Sequence, residues 1–431
     1  MTADVASSPT LSVLPNGVTL LDAPIASSRN VGVVLIVRAG SRDESTTTAG
    51  LAHFLEHLFF KGTQRRPTTM DISREVDRLG AITNAYTDTE EVAYYAEGPA
   101  STLQPLADIL TDMLSRPLFE PEEVERERNV VLQELAARLL RPTGWIGDRL
   151  LSVAFGGDQP MSWSAAGYPS VVAEVSRQAI VDYHQSFYAP ESMALVVSGG
   201  TSLDLEAATQ LLADVPRASP RPRLPALWGQ GEHYVANIRP LSGQEEPQID
   251  LALALPGLHA HDPDRPSLAV MTHILGSGMS SRLFHTVRER HGLCYRISAG
   301  HEYFDDAGLF TISTATRPQD APRAVELSFA ELRKLVAEPV PEDELEAARA
   351  SMIGRLLRST ETAGSSAHWY ATRWRAGLAL QTPDDRARAI AAVTADQVQA
   401  VAGRIAAGID QVRLAFVGPE DQGDQILAAA N

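Results

Sequence analysis

Residues 31–41 read VGVVLIVRAGS, an apolar run closed by Gly40 and Ser41. A short apolar run stopped by turn residues predicts a β-strand, and the stretch after it has helical character. The same sign returns at 248–257, QIDLALALPG, again ahead of a helical stretch. Outward from these two strands the order of elements repeats. The first is followed by DRLGAITNAYTDTEEVAYYAEGP (77–99), a helix at 101–114 and PLFEPEEVERERNVVLQELAARL (117–139). The second is followed by RERHGLCYRISAGHEYFDDAGLFTIST (288–314), a helix at 321–339 and PVPEDELEAARASMIGRLL (339–357). Each series closes on a helix and a strand, at 175–199 and at 393–418. A repeated order of this kind predicts a duplicated domain.

Between the series, VPRASPRPRLPAL (215–227) carries Pro216, Pro220, Pro222 and Pro225 with three arginines and no apolar period. It reads as a stiff, extended linker. The expected division is therefore a first domain over 1–215, a linker over 216–235 and a second domain over 236–431. Strands at 82–87 and 92–97 are too close in sequence for anything but antiparallel pairing. Each half is expected to be α+β, a mainly antiparallel sheet covered by helices on one face. Two such tandem domains on a linker are expected to face each other as a clamshell.

Composition narrows the function. Hydrophobic residues make up 44% of the 431, enough for two sizeable cores. No run of about 18 apolar residues appears, so no membrane span is expected. The first residues, MTADVASSPTLSVLPNG, lack the apolar segment of a secretory signal. Cys294 is the single cysteine, which excludes an internal disulfide and fits a reducing, cytoplasmic setting. A net charge of -17 argues against a nucleic-acid partner. It leaves room for basic peptides, although solubility alone is the better account of it.

The strongest local sign of chemistry is GLAHFLEHLFFKGT (50–63). His53 and His57 stand four apart, so a helix offers both imidazoles to one ion from one face. Glu56 sits beside them, where a carboxylate can take a proton from water activated by a metal. This H-x-x-E-H order reverses the more familiar H-E-x-x-H. A catalytic zinc needs a third protein ligand. The segment 121–139 predicts a good helix, with Pro121 in its first turn and Val124, Val131, Leu135 and Leu139 as an apolar stripe. Glu127 and Glu134 lie two turns apart on one face of it, and the residues alone do not choose between them.

With these motifs in hand, the chain resembles the M16 peptidases, the family of pitrilysin, insulin-degrading enzyme and the mitochondrial processing peptidase, in its short-chain bacterial branch. The segment 50–63 is similar to that family's metal helix almost residue for residue. The resemblance implies a third ligand 76 or 77 residues past the second histidine. At the longer spacing stands Glu134, at the shorter Gln133, so Glu134 is the match. It also implies that Glu127 steadies a ligand histidine. ITNAYTDTEEVAYY (82–95) looks like the family's N-A-x-T edge strand, which implies that Asn84, Ala85, Tyr86 and Thr87 pair with substrate backbone. LGSGMSSRLFHTVRERHGLCY (275–295) resembles the segment that carries the family's arginine–tyrosine pair, here Arg288 and Tyr295. Tyr295 is then expected to donate to the developing oxyanion and Arg288 to hold a substrate carbonyl.

The expectation is thus a zinc endopeptidase with one Zn2+ per chain, Glu56 as general base and a peptide as substrate. Because both halves of the family's machinery occur in one chain, an active homodimer is expected ahead of a heterodimer with a related subunit. The rival is a non-catalytic partner or core subunit of the same fold, against which the intact His53, Glu56, His57 and Glu134 speak.

Overall fold

The computed structural model describes residues 8–157, 159–216, 222–239 and 248–431. The first six strands, β1 (Thr10–Val13), β2 (Thr19–Pro24), β3 (Asn30–Val37), β4 (Ile82–Thr87), β5 (Val92–Pro99) and β6 (Met193–Gly199), form one sheet in the order β1-β2-β6-β3-β5-β4. The next five, β7 (Tyr234–Ile238), β8 (Ile249–Pro256), β9 (Cys294–Tyr303), β10 (Gly308–Thr316) and β11 (Arg413–Gly418), form another in the order β7-β11-β8-β10-β9. The pairs β2–β6 and β7–β11 are parallel, and every other pairing is antiparallel. Leaving out β1, the two sheets share strand order and strand direction. The duplication read from the sequence is therefore present in the topology, with α+β halves as expected. β1, β2 and β7 escaped the sequence reading, and β7 takes up the end of the expected linker. Residues 217–221 of that linker lie outside the described residues.

Helices cover both faces of each sheet, not one. In the first sheet Val31, Val33, Leu35 and Val37 face a core shared with the helices Leu51–Phe59, Leu103–Ser115 and Arg177–Phe187. Val34 and Ile36, between them, face Ala367, Tyr370, Ala371 and Trp374 of the helix Ala363–Arg375. In the second sheet Leu251, Leu253 and Leu255 face the helices Arg265–Gly276, Ala321–Ala337 and Ala395–Ala406. Ala252 and Ala254 face Ile146, Leu150, Val153 and Ala154 of the helix Pro142–Phe155. The reason lies in the strands themselves. A sheet wet on one side alternates apolar and polar residues, whereas VGVVLIV and LALAL run apolar without a break. Each buried aliphatic or aromatic side chain contributes about 1.5–3 kcal/mol, so leaving the second face bare would be costly.

The covering helices come from the opposite half of the sequence. One compact unit comprises Met1–Ala136, Trp163–Leu224 and Leu357–Thr382, the other Ala137–Ser162, Pro225–Leu356 and Pro383–Asn431. A division at the linker into 1–215 and 236–431 thus differs from the spatial units by this reciprocal loan of a helix. The loan is tight in the first unit. A Cβ on Gly32 of β3 would lie 2.6 Å from Ala363 O, so glycine is what lets the borrowed helix approach. At the far end of that helix Arg375 meets Glu90 at 2.8 Å and Glu91 at 2.6 Å, in the turn between β4 and β5. The borrowed helix therefore anchors the hairpin that carries β4. Among the described residues no helix is long and apolar enough to cross a membrane.

Candidate metal centre

The helix Leu51–Phe59 forms where its apolar positions demand it. Leu51, Phe54, Leu55, Leu58 and Phe59 are fully buried against the first sheet. Its N-terminus is fixed from two sides. Glu44 accepts hydrogen bonds from Gly50 N at 2.8 Å and Ala52 N at 2.7 Å, taking up donors the helix leaves open. Burial pushes the Glu44 carboxyl up to about 8, against the pull of those same N–H groups. Gly50, with φ of 112°, packs against Gly167, and a Cβ on Gly50 would stand 2.8 Å from Gly167 Cα. That contact brings Ala166 beside the helix.

His53 lies one turn before His57, and each ring is held by its Nδ1. His53 Nδ1 meets Ala166 O at 3.2 Å, and His57 Nδ1 meets Glu127 Oε1 at 2.8 Å. A ring nitrogen facing a carbonyl or an ionised carboxylate carries the hydrogen, which leaves the lone pair on Nε2. The two Nε2 atoms lie 3.2 Å apart. Glu134 completes the group: its Oε1 is 3.7 Å from His53 Nε2 and its Oε2 is 3.4 Å from His57 Nε2. All three candidate ligand atoms lie within 4.8 Å of one another. Two imidazole lone pairs and a carboxylate converging on one point is the donor set of a zinc site that keeps a position open. The residues fit the metal.

The surrounding charges follow from the same contacts. Burial works against the ionised form of Glu127, but hydrogen bonds from His57 and from Lys61, at 2.7 Å, outweigh it and hold the carboxyl below its usual range. Burial likewise works against charged His57, and Glu127, Glu56 and Glu134 outweigh it, so the imidazole is raised. Glu56 sits between the histidines in sequence and points to the β4 side, where its Oε2 accepts from Thr87 Oγ1 at 2.6 Å. Burial raises the Glu56 carboxyl, Thr87 and His57 draw it back, and Glu134 adds to the rise.

Comparison with known proteins now bears on this geometry. A family profile described as insulinase, peptidase family M16, matches residues 22–161 and contains every residue just named except Ala166 and Gly167. A second, described as the peptidase M16 inactive domain, matches residues 174–352. An uncharacterised zinc protease of Mycobacterium leprae is 30% identical over 402 residues, covering 91% of this chain and 88% of that protein. The chain belongs to peptidase family M16. Another relative, an uncharacterised zinc protease of Streptomyces coelicolor, is 29% identical over 90% of this chain and 85% of its own length. Among solved structures, a protease from Helicobacter pylori shares the fold with a TM-score of 0.87 at 19% identity, covering 96% of this chain and all of that one. A peptidase M16 inactive domain from Pseudomonas fluorescens matches with a TM-score of 0.85 at 18% identity, covering 96% and 98%.

Within this M16 chain the remaining residues of interest fall in two places. β4 is an edge strand of the first sheet, and Asn84, Ala85, Tyr86 and Thr87 lie on it opposite Tyr95, Tyr94, Ala93 and Val92. The Tyr86 hydroxyl donates to Glu91 at 2.7 Å, while Thr87 is bound to Glu56. Arg288 and Tyr295 belong to the second unit. Arg288 lies on a π-helical turn, Phe284–Arg290, and its guanidinium stands 5.3 Å from the centre of the Tyr295 ring and 4.5 Å from that of Phe284. Tyr295 is 79% exposed. Sequence reading missed Glu44, Lys61 and Ala166. Lys61, four residues past His57 in the turn that ends the helix, could have been found from spacing. Ala166 acts through its backbone carbonyl, which leaves no mark in a sequence.

Proposed function

We propose that the chain is a zinc-dependent endopeptidase that hydrolyses peptides or unfolded segments, one zinc per chain. The convergence of His53, His57 and Glu134 on a single point, with Glu56 beside it, carries this reading. Zinc held by those three side chains would supply a Lewis acid that makes water a competent nucleophile at neutral pH. The chain's own groups do the rest. Ala166 O and Glu127 fix the two imidazoles so that both Nε2 lone pairs point inward. Glu56 takes the proton from the attacking water and returns it to the leaving amine. A carboxyl raised by burial is better matched to that exchange near neutral pH than an ordinary one. The Thr87 hydroxyl orients the Glu56 carboxylate.

The free edge of β4 would take an extended peptide through main-chain hydrogen bonds, which accounts for a substrate read by shape more than by sequence. Arg288 and Tyr295 take the roles the family resemblance implies, one for a substrate carbonyl and one for the oxyanion. Tyr295 is exposed and the half-buried Arg288 stands over its ring, which supports availability to a peptide. The names of the relatives, zinc proteases, agree with this reading. The test is incubation of zinc-loaded protein with a peptide library, cleavage being read by mass spectrometry beside metal analysis. About one zinc per chain and cleavage abolished by chelation are the expected results. Full zinc occupancy without cleavage would leave the non-catalytic subunit reading standing.

A further inference from the structure

The second unit holds a pocket of about 420 Å³ on the elements that correspond to those of the metal centre. The metal centre is built from the helix that follows β3, from the edge strand β4 and from the helix Pro121–Leu140. The pocket is built from the end of the helix that follows β8, from the edge strand β9 and from Arg355 on the helix Glu342–Ser359. Its size lies inside the range of about 300–1,000 Å³ typical of ligand sites.

Its charge is the reverse of the metal centre's. Arg288 and Arg355 line it together with Ser277. Arg296 and Ser298 border it from β9, but their side chains lie on the other face of the sheet, where Arg296 meets Asp250, and among the described residues no carboxylate lines it. In a chain with 54 acidic and 37 basic residues, two arginines around one small volume without a carboxylate stand out. Among the described residues neither is held by a close ion pair, whereas Arg296 is taken up by the buried Asp250. Among the described residues Arg288 has only a loose ion-pair contact, 3.7 Å, with the exposed Glu289. Arg355 is exposed and, among the described residues, has no carboxylate partner. The C-terminus of the helix Arg265–Gly276 also opens here, but its partial charge of about half a unit does not offset guanidinium groups of full charge. The stacking of Arg288 between Phe284 and Tyr295 holds its fork in place, so little freedom is lost when an anion binds. Met279, 80% exposed at the rim, offers apolar surface to the stem of a side chain.

We propose that this pocket binds a carboxylate of a peptide, an acidic side chain or a C-terminus, and so selects substrates that carry one. Guanidinium forks are the donors that a planar carboxylate fits. This rests on the peptidase reading above, and it adds a preference that the overall negative charge would not suggest. Global charge repels an acidic peptide weakly and at long range, while the pocket acts at contact distance.

The test uses the full zinc-loaded chain and peptides that differ only by Glu against Gln at successive positions, or by a C-terminal acid against its amide. The expected result is a kcat/KM about tenfold or more higher for one acidic member of the series. That ratio should fall toward one in Arg355→Gln and at high salt, with zinc content and melting temperature unchanged. A series without preference, or a preference untouched in Arg355→Gln, overturns the proposal. The acid-against-amide pair tells a terminal carboxylate from a side chain. If no peptide is cleaved, fluorescence anisotropy with the same labelled peptides decides. Binding of the acidic peptide that is lost in Arg355→Gln would sink the peptidase reading and keep the pocket, and absence of binding would sink the pocket.

Discussion

Apart from β1, the two halves of the molecule share strand order and a similar series of helices, yet the side chains they gather at one location are opposite in charge. Counting from the proline that opens each helix, Glu127 and Glu134 of the first half correspond to Ala347 and Gly354 of the second. The helix after β3 offers His53, Glu56 and His57, while the helix after β8 offers His273 alone. Next to Gly354 stands Arg355, where the first half gathers carboxylates. The scaffold thus determines where a site lies, and a handful of side chains determines whether it suits a cation or an anion. It also accounts for the second half matching a profile described as an inactive domain: the topology is kept and the ligands are not.

The sharpest way to break this comparison is to disable the first half's chemistry while sparing its metal. Glu56→Gln should retain zinc and lower kcat by about a thousandfold or more, because only the proton acceptor is removed. Near wild-type turnover would remove Glu56 from the mechanism. In Glu134→Gln the zinc itself should be lost, as read by metal analysis after dialysis. Retention would move the third ligand, with Glu127 the first place to look.

The next test asks whether the second half is more than a scaffold. Tyr295→Phe should lower kcat by about 100- to 1,000-fold if its hydroxyl meets the oxyanion, with zinc unchanged and KM moving less. A change in KM alone would make Tyr295 a binding residue, and no change in either would make the exposed ring a surface feature.

A smaller effect is expected one layer out from the metal. Glu127→Gln leaves His57 Nδ1 without a charged partner and strands Lys61. Zinc affinity should drop about 10- to 100-fold, with kcat at saturating zinc falling less. An unchanged affinity would mean that the helix alone holds His57 in place.

Much of this was legible in the sequence because it depends on local spacing. A turn of helix separates His53 from His57, and two turns separate Glu127 from Glu134, so periodicity alone set each pair on one face. The choice of Glu134 over Glu127 was not local and came only with the resemblance. The structure now gives Glu127 to His57 Nδ1 and Glu134 to the Nε2 side. The loan of helices was illegible for a different reason. Pro142–Phe155 and Ala363–Arg375 were not singled out in the sequence, and nothing in a helix says which of two similar sheets it will cover. The unbroken apolar run of β3 did announce a second buried face, and that sign was passed over. The bond between Thr87 and Glu56 joins residues 31 apart through the packing of an edge strand on a helix, and no pattern in either segment foretells it.

The smallest effect compares the halves through their buried histidines. His184 of the first unit sits among Phe59, Phe119 and Tyr188 and is hydrogen-bonded to Leu114 O, and burial lowers its pKa to about 4. His301 of the second lies on β9 beside Tyr303 and is lowered to about 4 as well, by burial first and then by Arg386 and Arg265. In both, the unfolded chain takes up a proton near 6.5 that the folded chain refuses until about 4. Stability is therefore whole above 6.5 and declines as the pH falls through that window. Each histidine should account for a loss of less than about 1 kcal/mol between pH 7 and 6, growing to roughly 2 kcal/mol by pH 5. His57 has the opposite sign, since its raised pKa favours the folded state as the pH falls. The measurement must then be differential. Urea denaturation of metal-free wild type, His184→Gln and His301→Gln at pH 7, 6 and 5 isolates each contribution. The variants should start less stable at pH 7 and lose less on acidification, His184→Gln more clearly because its site is the drier of the two. Parallel pH profiles for wild type and both variants would show that neither histidine stays neutral by burial, and that acid sensitivity arises elsewhere in both halves.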